Sequence, residues 1–504
     1  MESRREVMDK IFHPKSVAVV GASREKKKPG HLLLYSLVRM GFPKHGALYP
    51  INPRADEILG LRAHKSLKDI NGNADVVIIT TPPETVPQVV EECAERGVVA
   101  CVILSAGFGE SGSEAGRQLE AEILRLARRG GVRLIGPNCM GIYCSAGRLG
   151  FFPDQRAGDD VRRSEGKLLN GDKVSFISES GSIACMFYRI CRSLNVGVSK
   201  IVSSGNECDL NAADFLHYFG EDPATEIIAA YLEGIRDGKR FLKVARAVAR
   251  RKPVIIWMAG ITSQGSRAAK SHTGALSTKE SVWNAVCRQT GIIHVNNIEE
   301  LMDMVLAFYF LNPPKGRNVA VVSSPGGPAV SAADACARHG LQLASLSEKT
   351  KERIMKRIPN FGTSVRNPVD LGFGAVEDGT YETALSALFD DENVDAIIAI
   401  GGAPTFVGKS FLKVEEFAEE AAAAWRRTTV AGDTDDNAAA SGGKNGKKPL
   451  LAVLPPHISS EMPFEILRAA GIPVYATPDR AARCLSALCS YAILKAQSET
   501  KCPS

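Results

Sequence analysis

The sequence predicts an α/β protein built on parallel sheets, and three observations carry that prediction. An apolar, β-branched run ending in a small-residue turn occurs at Ser16-Val17-Ala18-Val19-Val20-Gly21-Ala22-Ser23. The same design returns at Lys173-Val174-Ser175-Phe176-Ile177-Ser178-Glu179-Ser180-Gly181-Ser182 and at Val319-Ala320-Val321-Val322-Ser323-Ser324-Pro325-Gly326-Gly327-Pro328. Each copy is followed by helical periodicity and another short β-branched run, the cadence of βαβ units. The composition agrees: 504 residues with 44% hydrophobic and 23% charged side chains supply apolar material for several cores.

Taken in order, the first domain spans 1–150. Its further strands are expected at 48–51, 76–80, 100–104 and 132–135, alternating with helices at 87–96 and 116–128, a Rossmann-like succession. Residues 151–170 turn polar and irregular and read as a linker. The second domain, 171–315, offers strands at 173–177, 199–203, 226–232, 253–257 and 292–295, and Pro313-Pro314-Lys315-Gly316 closes it. The third, 316–495, offers strands at 319–323, 341–345, 394–400, 449–453 and 473–475. Within it the composition over about 427–448 falls to Thr, Ala, Asp, Asn, Gly, Ser and Lys, which predicts a disordered insertion.

Several function classes are excluded at this level. No apolar stretch approaches the roughly 20 residues that span a bilayer, and the charged start has no apolar segment of a secretory signal. A cytoplasmic protein without membrane contact is expected. The 12 cysteines form no C-x-x-C pair and no Cys/His cluster, so reduced thiols are expected and no metal centre. A net charge of +6 is spread over 62 basic and 56 acidic residues, without the basic tract that tracks nucleic acid. Lys26 to Lys28 form a short cationic run, read as a solvated loop or as the neighbour of a small anion.

A strand that delivers the chain into a Gly/Ser turn at a helix start presents N–H groups and the positive end of a dipole, a setting for phosphate. The turn Gly21-Ala22-Ser23 lacks the full G-x-G-x-x-G spacing, and no carboxylate ends the second strand to hold a ribose. That strand instead runs into Tyr49-Pro50-Ile51-Asn52-Pro53-Arg54, a rigid turn with a cation. A nicotinamide cofactor is disfavoured, and a nucleotide with additional anionic groups is favoured. In the second domain, Ser180 and Ser182 flank Gly181 where a helix should begin, fit for an N-cap and for a phosphate cradle alike.

Of nine histidines, His272 stands out. It lies in a small-residue segment with Arg267 and Lys270, after the strand at 253–257. An imidazole with an ordinary pKa of about 6.5 is neutral and nucleophilic near physiological pH. Attack on phosphorus would give a phosphoramidate able to pass its phosphoryl group on. Such a ring is best oriented by a carboxylate on its other nitrogen. Glu233, at the end of Ile227-Ile228-Ala229-Ala230-Tyr231-Leu232-Glu233-Gly234, is the candidate.

These residues carry a family resemblance. His13-Pro14-Lys15-Ser16 through Ser23, Ile51-Asn52-Pro53-Arg54 with Glu57-Ile58-Leu59-Gly60, Ser105-Ala106-Gly107-Phe108, and Gly136-Pro137-Asn138-Cys139-Met140-Gly141 resemble the NDP-forming acyl-CoA synthetases. So do Tyr231-Leu232-Glu233-Gly234, Ala269-Lys270-Ser271-His272-Thr273-Gly274-Ala275 and Asn367-Pro368-Val369-Asp370. The match is to the α subunit of the ADP-forming acetate–CoA ligase type, related to succinyl-CoA synthetase, and covers nearly the whole chain.

The resemblance implies a Rossmann-like CoA-binding domain followed by two flavodoxin-like parallel-sheet domains. It implies that Gly21, Ser23 and Arg24 face the CoA diphosphate, that Pro53, Arg54, Thr80 and Pro82 hold its adenosine end, and that Asn138 lies near the thiol. His272 would be the phosphohistidine, Glu233 its orienting carboxylate, and Ser180, Gly181, Ser182 and Gly274 the phosphate contacts. The implied reaction interconverts acyl-CoA, ADP and phosphate with acid, CoA and ATP. ADP or ATP and Mg2+ would sit in a separate ATP-grasp β subunit, in an α2β2 assembly, since no ATP-grasp sequence follows the third domain.

The sequence departs from the family where Glu179 replaces a usual Gln and Met258 a frequent Lys, and a charge at Glu179 would disfavour phosphate unless offset. A non-catalytic CoA-binding regulator or scaffold of the same fold is the alternative reading. A Rossmann dehydrogenase ranks last, because it leaves His272 without a role.

Overall fold

The computed structural model describes residues 4–150, 171–267, 278–324, 326–372, 379–401, 414–430, 447–455 and 460–499. Helix α1 (Arg4–Phe12) leads into β1 (Ser16–Val20), α2 (Pro29–Arg39) and β2 (Ala47–Ile51). A small hairpin of β3 (Glu57–Ile58) and β4 (Leu61–Arg62) precedes β5 (Val76–Ile79), α3 (Val86–Glu95), β6 (Ala100–Ile103), α4 (Glu114–Gly130) and β7 (Arg133–Ile135). The sheet order is β2-β1-β5-β6-β7, with every pairing parallel. All residues of β1, β5 and β6 are buried, because helices cover both faces; hence these strands read as unbroken apolar runs. The strand order reverses between β1 and β5, so the turns after Val20 and Ile79 emerge side by side.

The second sheet begins with β8 (Gly141–Cys144) and continues through β9 (Asp172–Ser178), α5 (Gly181–Ser193), β10 (Gly197–Ser203), α6 (Ala212–Glu221) and β11 (Ile227–Leu232). It is completed by α7 (Gly238–Ala249), β12 (Val254–Met258), α8 (Glu280–Thr290) and β13 (Ile293–Val295), in the order β13-β12-β11-β9-β10-β8. Its strands are parallel except β8, which runs antiparallel to β10 with Tyr143 opposite Ile201. Residues 141–144, within the stretch the sequence assigns to the first domain, thus complete the second sheet. All four are buried, and their pairing covers the β10 edge. Here the order reverses between β9 and β11.

The third sheet follows α9 (Ile298–Phe310) and consists of β14 (Asn318–Ser323), β15 (Gln342–Leu343), β16 (Val369–Asp370), β17 (Ala396–Ile400), β18 (Leu450–Val453) and β19 (Val474–Tyr475). Its order is β15-β14-β17-β18-β19, with β16 also on β14. Helices α10 (Gly326–Arg338), α11 (Glu348–Met355), α12 (Thr380–Asp390), α13 (Val414–Val430), α14 (Met462–Ala469) and α15 (Pro478–Glu499) accompany it. Residues 427–430, expected in the low-complexity insertion, prolong α13 instead. The rest of that stretch to 446, like the linker at 151–170, lies outside the described residues. The Asn367-Pro368-Val369-Asp370 motif has a structural role here: the Asn367 amide donates to Val319 O at 2.7 Å and Ala344 O at 3.0 Å and accepts Val321 N–H at 3.0 Å.

The chain divides into two compact units, one holding the first two sheets as far as Leu301 and the other beginning at Met302. One apolar cluster explains the first unit. It runs from Val17, Val19 and Ile78 of the first sheet through Phe12 of α1 to Phe215 and Phe219 of α6 and Ile256 of the second sheet. Phe12 stacks on Tyr218 with ring centroids 5.2 Å apart, and the Tyr218 hydroxyl donates to Asp9 at 2.9 Å. A second cluster, including Val77, Val90, Ile103 and Ile123, fills the opposite face of the first sheet.

Candidate active site

At the carboxyl edge of the first sheet, Gly21 turns the chain with φ +89°, in the left-handed region open to glycine. Gly30, in the first turn of α2, lies so close that a Cβ on it would stand 2.1 Å from Gly21 O and 2.8 Å from Thr80 Oγ1. The helix start is thereby drawn against the turn. No side chain caps α2, whose N-cap residue is Lys28. Ser23 is buried; its Oγ accepts Glu25 N–H at 3.0 Å, and its carbonyl oxygen lies 2.7 Å from His31 Nδ1.

Around this turn Arg24, Pro53, Arg54 and Pro82 are exposed, and Arg24 Nε reaches Glu57 O at 3.0 Å. The Asn52 amide donates to Ala22 O at 2.6 Å and accepts Arg54 N–H at 2.8 Å, which ties the second strand's turn to the first. Thr80 Oγ1 donates to Val20 O at 3.0 Å, and Pro82 precedes a single helical turn at Pro83–Thr85. A helix start without a side-chain cap, preceded by a loop carrying Arg24 and Lys26 to Lys28 and tied through Asn52 to the Arg54 turn, suits a polyanionic ligand.

The Gly136-Pro137-Asn138-Cys139-Met140 segment leaves β7 and seats on the loop after β10. Asn138 has φ +56°, its N–H donates to Ser105 O at 3.0 Å, and its amide reaches Asn206 Oδ1 at 3.5 Å. Asn206 N–H donates to Pro137 O at 2.9 Å. Gly205 is required there: its φ is +57°, and a Cβ would stand 2.2 Å from Pro137 O. Gly181, opening α5, packs against Met140, whose Cγ would lie 2.0 Å from an added Cβ. The Cys139 thiol is buried and pushed up to about 12 by desolvation, so it stays protonated and is no nucleophile.

At the second sheet's switch point, Ser180, Gly181 and Ser182 open α5. Ser180 caps α5, its Oγ 3.4 Å from Ile183 N and 3.0 Å from Ser182 Oγ, while the Ser180 N–H donates to Ser178 Oγ at 3.2 Å. Glu233, buried at 6% exposure, directly follows β11 across the switch point. The Tyr231 hydroxyl donates to Glu233 Oε1 at 3.2 Å, and the Glu233 N–H donates to Glu179 Oε2 at 3.0 Å. β12 pairs with β11 and ends beside them, Ala259 N–H meeting Leu232 O at 2.8 Å. The chain then passes Gly260 and turns helical from Ser263 to Arg267 on the way to His272. His272 and Gly274 lie outside the described residues.

Sequence reasoning missed the loop after β10. Ser204-Gly205-Asn206-Glu207 follows a β-branched run, as the other glycine turns do, and that was the available signal. Glu207 is buried with φ +54°, and its Oε1 accepts the Ser204 hydroxyl at 2.8 Å. Burial pushes its carboxyl up to about 7, against the pull of Ser204, Ala212 N–H and Arg236. Burial, and then the charge of Glu207, raise Glu179 well above the carboxylate range. Arg236 donates to Asn206 O, and the Asn206 amide donates to Glu110 and, at 2.8 Å, to Glu120.

Two parallel-sheet edges within one compact unit, one suited to a polyanionic ligand and one with a hydroxyl-rich helix start beside a buried carboxylate, define a protein built to handle phosphorylated ligands. Family comparison agrees: residues 15–145 match the CoA binding domain, 171–308 the succinyl-CoA ligase like flavodoxin domain, and 319–442 the ligase-CoA domain. The chain is 37% identical over 486 residues to the acetate–CoA ligase [ADP-forming] II subunit alpha of Pyrococcus furiosus, covering 96% of this chain and 97% of that one. The corresponding subunit I alpha is 33% identical, with 98% and 100% covered.

Among solved structures, the dinucleotide-forming acetyl-coenzyme A synthetase 1 of Ca. Korarchaeum cryptofilum, in complex with phosphate and ADP, superposes with a TM-score of 0.83 at 31% identity. It covers 99% of each chain. The chain belongs to the ADP-forming acetate–CoA ligase family, as an α subunit, and CoA is its cofactor-class ligand.

Proposed function

We propose that this α subunit carries out the acyl-transfer half of the reaction and relays a phosphoryl group through His272. The observation that carries the reading is Glu233, a buried carboxylate held by Tyr231 at the switch point beside the Ser180–Ser182 helix start. β12, its neighbour, delivers the segment that bears His272. Gly21, Ser23 and Arg24 meet the CoA diphosphate, Pro53, Arg54, Thr80 and Pro82 its adenosine end, and Asn138 the thiol end.

A phosphate oxygen attacks the acyl carbonyl, the C–S bond breaks, and CoA leaves as the thiolate. The resulting acyl phosphate gives its phosphoryl group to a neutral ring nitrogen of His272, and the P–O bond breaks to release the acid. Glu233 takes the hydrogen bond of the other ring nitrogen and offsets the positive charge that develops on the ring. The N–H groups at the α5 start, with Ser180, Ser182 and Gly274, hold the phosphate oxygens. The phosphoryl group then passes to ADP with Mg2+ on an ATP-grasp partner subunit, in an α2β2 assembly. The names of the relatives as alpha subunits support a partner chain. A cytoplasmic setting suits this chemistry, and no helix among the described residues is long and apolar enough to cross a membrane.

The test is labelling of the full chain with 32P-phosphate and acetyl-CoA, with and without the partner subunit. The expected label is acid-labile, alkali-stable and absent from His272→Ala. Glu233→Gln should slow labelling by roughly 100-fold or more. Equal labelling of wild type and His272→Ala would refute the relay through His272, and no label on the wild type while CoA still binds would favour the non-catalytic CoA-binding reading.

A further inference from the structure

Three carboxyl groups converge on the second sheet's switch point from three separate loops: Glu179 after β9, Glu207 after β10 and Glu233 after β11. Glu207 is provided for. It accepts the Ser204 hydroxyl at 2.8 Å and the Ala212 N–H and faces the Arg236 guanidinium, although Asp214 of α6 repels it. Glu233 accepts the Tyr231 hydroxyl. Glu179 is desolvated and feels the charges of both Glu207 and Glu233; the Glu233 N–H that it accepts at 3.0 Å and, more weakly, Arg236 oppose these without outweighing them. From α5 the neighbours are Ser180 and Ser182, and residues 259–266 after β12 contain no ionisable side chain. Like charges gathered at one partly buried sheet edge do not all ionise.

We propose that Glu179 stands protonated and is a positioning residue, its neutral carboxyl gripping the Glu233 main chain so that Glu233 can present its charge to the phosphoryl-accepting imidazole. The inference rests on the reading of Glu233 as the orienting carboxylate. Burial and the neighbouring Glu207 charge, which push Glu179 well above the usual carboxylate range, act in the same sense. A neutral acid also leaves the adjacent Ser180–Ser182 helix start free of an added negative charge, as phosphate binding there requires.

The sign of the consequence follows from linkage. The folded chain keeps a proton on Glu179 that the unfolded chain gives up above pH about 4.3, so this group's stabilisation is lost as pH rises from there through the raised value. Glu179→Gln keeps an acceptor for the Glu233 N–H and cannot ionise.

Melting of the full chain between pH 5 and 9, and 32P labelling by acetyl-CoA and phosphate over the same range, provide the test. The melting temperature of Glu179→Gln should rise relative to wild type as pH increases. Glu179→Leu should label at least about tenfold more slowly, and the Gln variant should recover that loss at pH 6.5. At alkaline pH the wild type should fall behind the Gln variant by up to about tenfold per pH unit. Parallel melting curves for wild type and Glu179→Gln would overturn the proposal, as would a Gln variant as slow as the Leu variant. Diverging melts with no label on any of the proteins would uphold the proton on Glu179 and overturn the phosphohistidine reading instead.

Discussion

Glu207 and Gly205 show how single residues shape this site. Both occupy the left-handed region, and together they fold the loop after β10 back under Pro137 and Asn138. An L-residue at 205 would meet both the strained φ and the Pro137 carbonyl. Gly205→Ala should therefore cost about 1–3 kcal/mol, read as a lower urea midpoint, and should weaken CoA binding by disturbing Asn138. The thiols nearby are raised in pKa by desolvation. Cys139 and Cys208 are both held protonated by burial, and alkylating reagents at pH 7 should leave them unmodified in the folded chain.

At the scale of elements, the first unit is stitched by short segments that leave one sheet and serve the other. β8 departs from the first sheet's last turn and pairs with β10, while α1 packs its Phe12 against α6. Asp209, at the start of the α6 approach, receives the Arg133 guanidinium through Nε at 2.8 Å and Nη2 at 3.0 Å and the Leu134 N–H at 2.9 Å. Those three charge-assisted bonds pin β7, and hence the Asn138 turn, to the second sheet. Asp209→Ala should cost about 2–3 kcal/mol in denaturant unfolding and raise the KM for CoA. Asp209→Asn should recover only part of each. Within the first sheet α2 needs its glycine: Gly30 brings the helix start against Gly21, and any side chain there would push it away.

At the scale of the whole molecule, a charge buried in the second sheet is met by an opposite one. Lys200 of β10, 1% exposed, donates to Asp222 at 2.7 Å, and Asp222 also accepts the Thr225 hydroxyl. Burial opposes the Asp222 charge, but the Lys200 and Thr225 bonds outweigh it and lower its pKa. Its contribution to stability is thus present above the ordinary Asp range and is lost as pH falls through the lowered value. Acid unfolding should begin at higher pH for wild type than for Lys200→Met/Asp222→Leu, and Lys200→Met alone should cost about 3–5 kcal/mol by stranding the carboxylate.

The α/β class, the strand-then-glycine turns and the residues Gly21, Ser180 and Glu233 were legible in the sequence, because parallel strands buried on both faces are continuous apolar runs and glycine turns are local. Which turns meet was not legible. Strand order, the transfer of 141–144 to the second sheet, the convergence of Glu179, Glu207 and Glu233, and the partner of each buried charge depend on contacts between residues tens of positions apart. Such contacts leave no local period, so they were decided by the tertiary structure alone.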